Sequence, residues 1–271
     1  YTYISTMDYA MEADAEAGLP FVVLDRPDPL GGNLVDGPVL SSGLVSFVGP
    51  YEMPWVYGMT PGEVARWIKQ KKLPQLDLKV VPVSGWTRGM TYEQTRLRLI
   101  PPSPNVPQSR TSLFYAITGA LGELGTFSEG VGTEFPFELV GVPWMDAEEL
   151  AQRLNAADLS GVHFSPIHFT PIKYAFSGKS CHGVRIHVDD PAKVRPSAVM
   201  VHIAKAVQDL YGSNDPFRPT ASKIAMFDQV LGFAPFRQWL HEERPADEFL
   251  AEWQRQVQEF IPSRSLALIY K

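Results

Sequence analysis

The chain has 271 residues, 45 % of them hydrophobic and 20 % charged, enough to bury the core of one large or two modest domains without disulfide or metal staples. A formal net charge of −6 argues against a non-specific nucleic-acid partner, whose phosphates demand basic patches, and no apolar run approaches the ~20 residues of a membrane-spanning helix. The lone cysteine, Cys181, permits no intrachain disulfide and leaves the redox compartment open.

In chain order, the start at Tyr1, straight into YTYIST, reads as the end of a strand running into a helix, so further strands of a sheet are expected upstream. Ser5 or Thr6 is expected to cap a helix through Glu16, which Gly18 and Pro20 stop. Phe21–Leu24 is a short apolar run with the character of a buried strand. Thr60-Pro61-Gly62-Glu63 has the chemistry of a helix start: an N-cap threonine, proline at the first helical position and glutamate three residues after the cap. The helix then runs over 63–71 with Val64, Trp67 and Ile68 inward, and 78–83 is the next apolar strand. Beyond a proline-rich stretch, 111–124 forms a helix with Leu113, Ala116, Ile117, Ala120 and Leu121 on one face. Strand, helix, strand, helix at this spacing predicts an α/β fold with a parallel sheet and crossover helices.

From about Phe137 the texture changes. Strands are expected over 137–142 and 184–188, with helices over 148–156 behind Asp146, 196–211, 224–231, 236–241 and 246–260. The alternation of strand and helix is gone. This pattern predicts an α/β domain over 1–138 and a smaller α+β domain over 139–271, with a cleft between them.

The stretch Leu24 to Leu40, LDRPDPLGGNLVDGPVL, holds Asp25, Arg26 and Asp36 in a loop stiffened by proline and punctuated by glycine. If Phe21–Leu24 belongs to an open parallel sheet, this loop leaves its carboxyl end, where such sheets bind ligands. Paired carboxylates suit general acid–base work and glycoside hydrolysis, whereas the local alternative has Asp25 pairing with Arg26 or capping a turn and Asp36 forming an Asx-turn before Gly37-Pro38. Glu129, between small residues in SEGVGTE, is expected at the same sheet edge at the end of a fourth strand; a solvated loop glutamate is its plain reading. Trp86 and Arg88 follow the strand at 78–83, and an aromatic face beside a fixed cation suits a sugar ring carrying an acid group. Asn105 in a Pro-rich turn offers an amide for ligand hydrogen bonds. His163, His168, Cys181, His182 and His187 fall close together, but no pair has the HExxH or CxxC spacing, so no metal site is assigned. No GxSxG elbow, Walker A loop or dinucleotide fingerprint is present.

The ordered strings YTYISTM, LDRPDPLGG, VDGPVL, GMTPGEVA, SGWTRGM, PPSPN, SEGVGTEFPFE, GVPW and GVHFSP resemble the exo-β-N-acetylmuramidase family. The resemblance implies a Rossmann-like domain with an auxiliary C-terminal domain, an active site in their cleft, and removal of β-linked N-acetylmuramic acid from the non-reducing end of peptidoglycan fragments. It implies that Asp36 takes one carboxyl role, with a glutamate upstream of Tyr1 taking the other and Glu129 as the substitute candidate. Where the family more often has glutamate, Asp36 draws its carboxyl back by about one methylene, and Tyr57 stands where a histidine is expected. On this reading Arg88 or Arg26 holds the lactyl carboxylate, Asp25 and Asn105 contribute to substrate binding, and Trp86 packs on a sugar face. No cofactor is required, and a periplasmic or secreted location follows from the substrate class. The alternative is a non-catalytic glycan-binding protein that uses the Trp86, Arg88 and Asn105 surface.

Overall fold

The computed structural model describes residues 2–214 and 216–271. It divides into two compact units, Tyr1–Leu99 with Gln254–Lys271, and Ile100–Trp253. Sequence texture placed a boundary at 138/139; the structure parts at 99/100, because the helix at 111–123 packs with the later elements and the chain's last residues return to the first unit.

The first unit contains α1 (Tyr3–Ala17), β1 (Phe21–Leu24), β2 (Asp36–Val39), β3 (Pro54–Val56), α2 (Pro61–Lys71) and β4 (Leu78–Val81). Helix α1 begins before the expected caps, and Ser5 instead donates its hydroxyl to the Phe47 carbonyl at 2.6 Å. Its end is as expected: Gly18 adopts the left-handed conformation and Leu19 N–H donates to Asp14 O at 2.8 Å. Strands β1 and β4 pair in parallel from Phe21↔Leu78 to Leu24↔Val81, with α2 between them in sequence. The ladder stops at Val81 because Pro82 has no N–H to donate. Val83 N–H goes instead to the Tyr270 hydroxyl at 2.9 Å. A second, antiparallel pair, β2 with β3, was not anticipated; Asp36 is its first residue, opposite Val56. The core gathers Met11, Val23, Met59, Val64, Trp67, Ile68 and Leu76 with Phe260 and Ala267 of the returning segment. Trp67 Nε1–H finds Ser263 Oγ at 2.8 Å, satisfying the polar handle of the buried ring.

The second unit contains α3 (Thr111–Glu123), β5 (Leu139–Val142), α4 (Ala147–Asn155), β6 (Val162–Phe169), β7 (Cys181–Val188), α5 (Pro196–Tyr211), α6 (Ala221–Leu231) and α7 (Pro235–His241). The long α8 (Ala246–Ser265) starts in this unit, and the boundary at 253/254 falls inside it. The sheet is antiparallel in the order β5-β7-β6. Strand β6 went unread in the sequence because Pro166 interrupts it; it lies at the sheet edge, where a missing N–H leaves no interior ladder bond unmade. Asp146 caps α4 as expected, accepting from Glu149 N–H at 3.0 Å. Phe236, Phe249 and Trp253 pack ring against ring at 5.4–6.4 Å. The mixed α/β class with a parallel sheet and an α+β remainder is therefore the architecture of the chain.

Candidate functional site

The local logic at the start of α2 organises the first unit. Thr60 Oγ1 accepts from Glu63 N–H at 3.3 Å while Glu63 Oε2 accepts from Thr60 N–H at 3.0 Å, so the capping box expected from the sequence forms. Asp25 joins it from the end of β1. Its carboxylate accepts Gly62 N–H at 2.7 Å and the Thr60 hydroxyl at 2.7 Å, where unpaired amides and the helix dipole favour an anion. Position 62 must be glycine, because a Cβ there would stand 2.7 Å from Asp25 Cγ and 2.5 Å from Val80 Cγ1. Tyr270 OH completes the set at 2.6 Å from Asp25 Oδ2. Asp25 is thus a helix cap within the fold, with its oxygens committed to protein donors.

The other oxygen of Glu63 points inward. Glu63 Oε1 accepts from Arg88 Nη1 at 2.6 Å and from Ile269 N–H at 2.9 Å. Arg88 also donates Nε to Gly32 O at 3.1 Å and Nη2 to Gly58 O. Arg264 reaches the same two carbonyls and Tyr57 O. Two buried guanidiniums therefore clamp the loops at 32 and 58, with Glu63 as the carboxylate partner of Arg88. Beside them, burial pushes the Asp28 carboxyl up to about 7, against the Leu30 amide and the Arg88 charge, which act the other way. Spacing singled out none of Asp28, Glu63 or Arg264 as a site residue. The one signal for Asp28 was a carboxylate held between Pro27 and Pro29.

This geometry corrects three expectations, the first being Asp25, expected to bind substrate, whose oxygens are held instead by Gly62, Thr60 and Tyr270. Trp86 is 5 % exposed, edge-on to Tyr270 at 4.7 Å, and no sugar face is open to it. Arg88 is buried with its donors on Glu63, Gly32 and Gly58, so its guanidinium is a structural clamp and not a free anchor for a lactyl carboxylate. The surface on which a non-catalytic glycan binder was to depend thereby loses both of its main members. Arg26, by contrast, is exposed, whereas Asp36 is as buried as these two, 3 % exposed at the head of β2.

Glu129 and Asn105 lie in the second unit. Asn105 is half-buried in a turn whose N–H donates to Ser103 Oγ at 3.2 Å. Glu129 is not delivered by a fourth parallel strand: among the described residues the parallel sheet has two strands, and Ser128 instead forms an isolated bridge with Gly141 of β5. The Glu129 carboxyl lies against Gly122 of α3. Burial pushes it up from 4.5 to about 7; its own backbone amide and the Lys223 ammonium oppose the rise and Glu123 adds to it. A carboxyl that still holds its proton near neutral pH is the kind that serves as a general acid.

The two raised carboxyls carry a prediction. Because the folded pKa of each exceeds its unfolded value, folding binds protons between roughly pH 4 and 7, and the stabilising contribution is complete below that window and lost as pH rises through about 7. Glu129→Gln is expected to remove its share, so that the variant gains on wild type by about 1–3 kcal/mol between pH 5 and pH 8. Urea unfolding of both proteins at the two pH values measures this, and a constant difference would refute the assignment of a raised Glu129 pKa.

The histidines fall opposite one another through strand register: His163 stacks on His187 at 4.6 Å and His168 meets His182 at 4.5 Å. His163 Nδ1 contacts Asp189 Oδ2 at 2.8 Å and His187 Nε2 contacts Ser165 Oγ at 2.7 Å. Among the described residues, no group of three or more His, Cys, Asp or Glu is placed to hold a metal ion.

Against known families, residues 1–110 match the N-terminal model of the exo-β-N-acetylmuramidase NamZ, and residues 113–270 match its C-terminal model. The chain belongs to the NamZ family. Over 270 residues it is 39 % identical to the peptidoglycan β-N-acetylmuramidase NamZ of Bacillus subtilis (strain 168), a match that spans all of this chain and 64 % of that relative's length. A DUF1343 family protein from Bacteroides fragilis superposes with a TM-score of 0.94 at 36 % identity, covering 100 % of this chain and 71 % of that one. A second from the same organism gives a TM-score of 0.76 at 28 % identity, covering 100 % and 72 %. The strings that carry the NamZ resemblance now have physical contents: LDRPDPLGG holds the α2 cap Asp25 and the raised Asp28, GMTPGEVA the capping box, and SGWTRGM the Arg88 clamp.

Proposed function

We propose that this protein acts, in its natural full-length form, as a glycoside hydrolase that releases β-1,4-linked N-acetylmuramic acid from the non-reducing end of peptidoglycan fragments. The observation that carries the reading is the match of both halves of the NamZ model, in order, across the chain. The chemistry needs one carboxyl to protonate the leaving glycosidic oxygen and another to activate water or to attack the anomeric carbon of an oxocarbenium-like transition state. Asp36 takes one of these roles. Glu129, or an acid in the part of the relatives' length that this chain does not span, takes the other. Arg26, exposed beside the fixed Asp25, is available for substrate contacts. Neither metal nor nucleotide is called for by such a mechanism. The substrate class sets the work in the periplasm or outside the cell.

The test is release of free N-acetylmuramic acid from the disaccharide MurNAc-β-1,4-GlcNAc by the natural full-length protein. Release by the full-length protein is the expected result. Binding of the disaccharide without release would overturn the hydrolase reading in favour of a glycan-binding protein.

A further inference from the structure

The connection between β6 and β7, residues 170–180, carries two strongly exposed apolar side chains: Ile172 is 74 % and Tyr174 68 % exposed. Two apolar side chains this open, two positions apart on one turn, make a small apolar patch. The turn is stiff. Gly178 N–H donates to Pro171 O at 2.8 Å, Lys179 N–H to Phe176 O at 2.9 Å and Ser177 N–H to Tyr174 O at 3.2 Å. These bonds hold Tyr174 and Phe176 at φ near 60°, a conformation aromatic residues rarely adopt and one that persists only where the surroundings impose it.

The same turn is docked on the loop that bears Glu129. Ile172 N–H donates to Gly132 O at 3.1 Å. Gly132 is at φ 89°, and a Cβ on it would stand 2.8 Å from the Lys173 amide nitrogen, so the second glycine of SEGVGTE is what allows the turn to seat. The Glu129 loop is itself closed by Phe137 N–H to Glu129 O at 2.7 Å and Thr133 N–H to Gly130 O at 3.0 Å. The aromatic tip and the acidic loop therefore form one rigid piece. Charge supplies the remaining clue. Lys173 and Lys179 are both exposed on this turn, and among the described residues neither has a carboxylate within ion-pair distance, in a chain whose net charge is −6.

We propose that the turn at 170–180 is a saccharide subsite adjoining Glu129, in which Tyr174 and Ile172 pack on the apolar face of a sugar ring while Lys173 and Lys179 take a carboxylate carried by the same ligand. An aromatic face flanked by cations matches a carboxylated sugar better than a neutral one, because the ring hydrogens meet the π face and the ammonium groups gain a charged partner. The subsite rests on the hydrolase reading above for its substrate, and it sets specificity for the acidic substituent.

The test uses the natural full-length protein with Tyr174→Ala, Tyr174→Phe and the double variant Lys173→Ala/Lys179→Ala. The ligands are MurNAc-β-1,4-GlcNAc and the neutral GlcNAc-β-1,4-GlcNAc, with calorimetric Kd and, where release occurs, kcat and KM. Tyr174→Ala is expected to raise Kd and KM about tenfold with kcat within about twofold, and Tyr174→Phe to restore them. The double lysine variant is expected to lose the preference for the acidic disaccharide. Because these side chains are exposed, thermal midpoints stay at the wild-type value. Where wild type hydrolyses, variants that keep the wild-type Kd and KM overturn the subsite alone. A wild type that binds without releasing sugar overturns the hydrolase reading, while the Kd series still decides the subsite. Wild-type protein that binds neither disaccharide, or that binds anionic lipid vesicles through Tyr174 and the lysines instead, overturns the proposal.

Discussion

Asp36→Asn in the natural full-length protein is expected to lower kcat by about 10³-fold or more while the Kd for MurNAc-β-1,4-GlcNAc stays within about threefold. The amide is the same size as the carboxylate and keeps a hydrogen-bonding oxygen, so the head of β2 opposite Val56 has no steric reason to move. It cannot carry charge or shuttle a proton, and that is what each carboxyl role in glycoside hydrolysis demands. Asp36→Glu is the informative partner: it restores the methylene and is expected to retain turnover. Single-turnover sugar release and calorimetric binding separate the outcomes. If Asp36→Asn keeps turnover within tenfold of wild type, Asp36 is a structural acid of β2 and the catalytic role passes to another carboxyl.

Glu63→Ala is expected to be the most destabilising single change in the first unit, about 3–5 kcal/mol by urea unfolding. The side chain is fully buried, and removing it leaves Arg88 enclosed without its carboxylate. The Thr60 and Ile269 amides lose their acceptor at the same time. The cost comes chiefly from stranding a buried charge, so Glu63→Ala combined with Arg88→Met is expected to cost less than the sum of the two single changes. A double variant that is strictly additive would show that Glu63 acts only as a helix cap. The change should also release the C-terminal residues, since Ile269 N–H is tied to Glu63 and Tyr270 OH to Asp25.

Local chemistry was read well from residues alone. Thr60-Pro61-Gly62-Glu63 announced a capping box and formed one, and Gly18 closed α1, because a cap involves groups within a few residues of each other. Trp86 and Arg88 were misread for the opposite reason. Their position after a strand looked like a ligand-facing edge, yet Tyr270 and Glu63, the residues that enclose them, lie far away in sequence. Asp25 was placed correctly in a loop at the end of β1, but whether its carboxylate faces a ligand or a helix N-terminus depends on Gly62, which is 37 positions further on. Strand β6 escaped notice because a proline inside an apolar run is tolerated only at a sheet edge, and edge status is a property of the assembled sheet.

The sequence by itself determined the fold class, the starts and stops of most helices, the parallel partnership of β1 with β4, and, through the order of its short motifs, membership of the NamZ family. These depend on periodicity, capping chemistry and side-chain type, all of which are local. Only the tertiary structure decided where the compact units part, which of the polar motif residues are buried clamps and which remain exposed, and that burial lifts Asp28 and Glu129 to about 7. Each of these is set by desolvation and by partners distant along the chain. A carboxylate in a sequence has one identity, and its charge and its role come from whatever the fold packs around it.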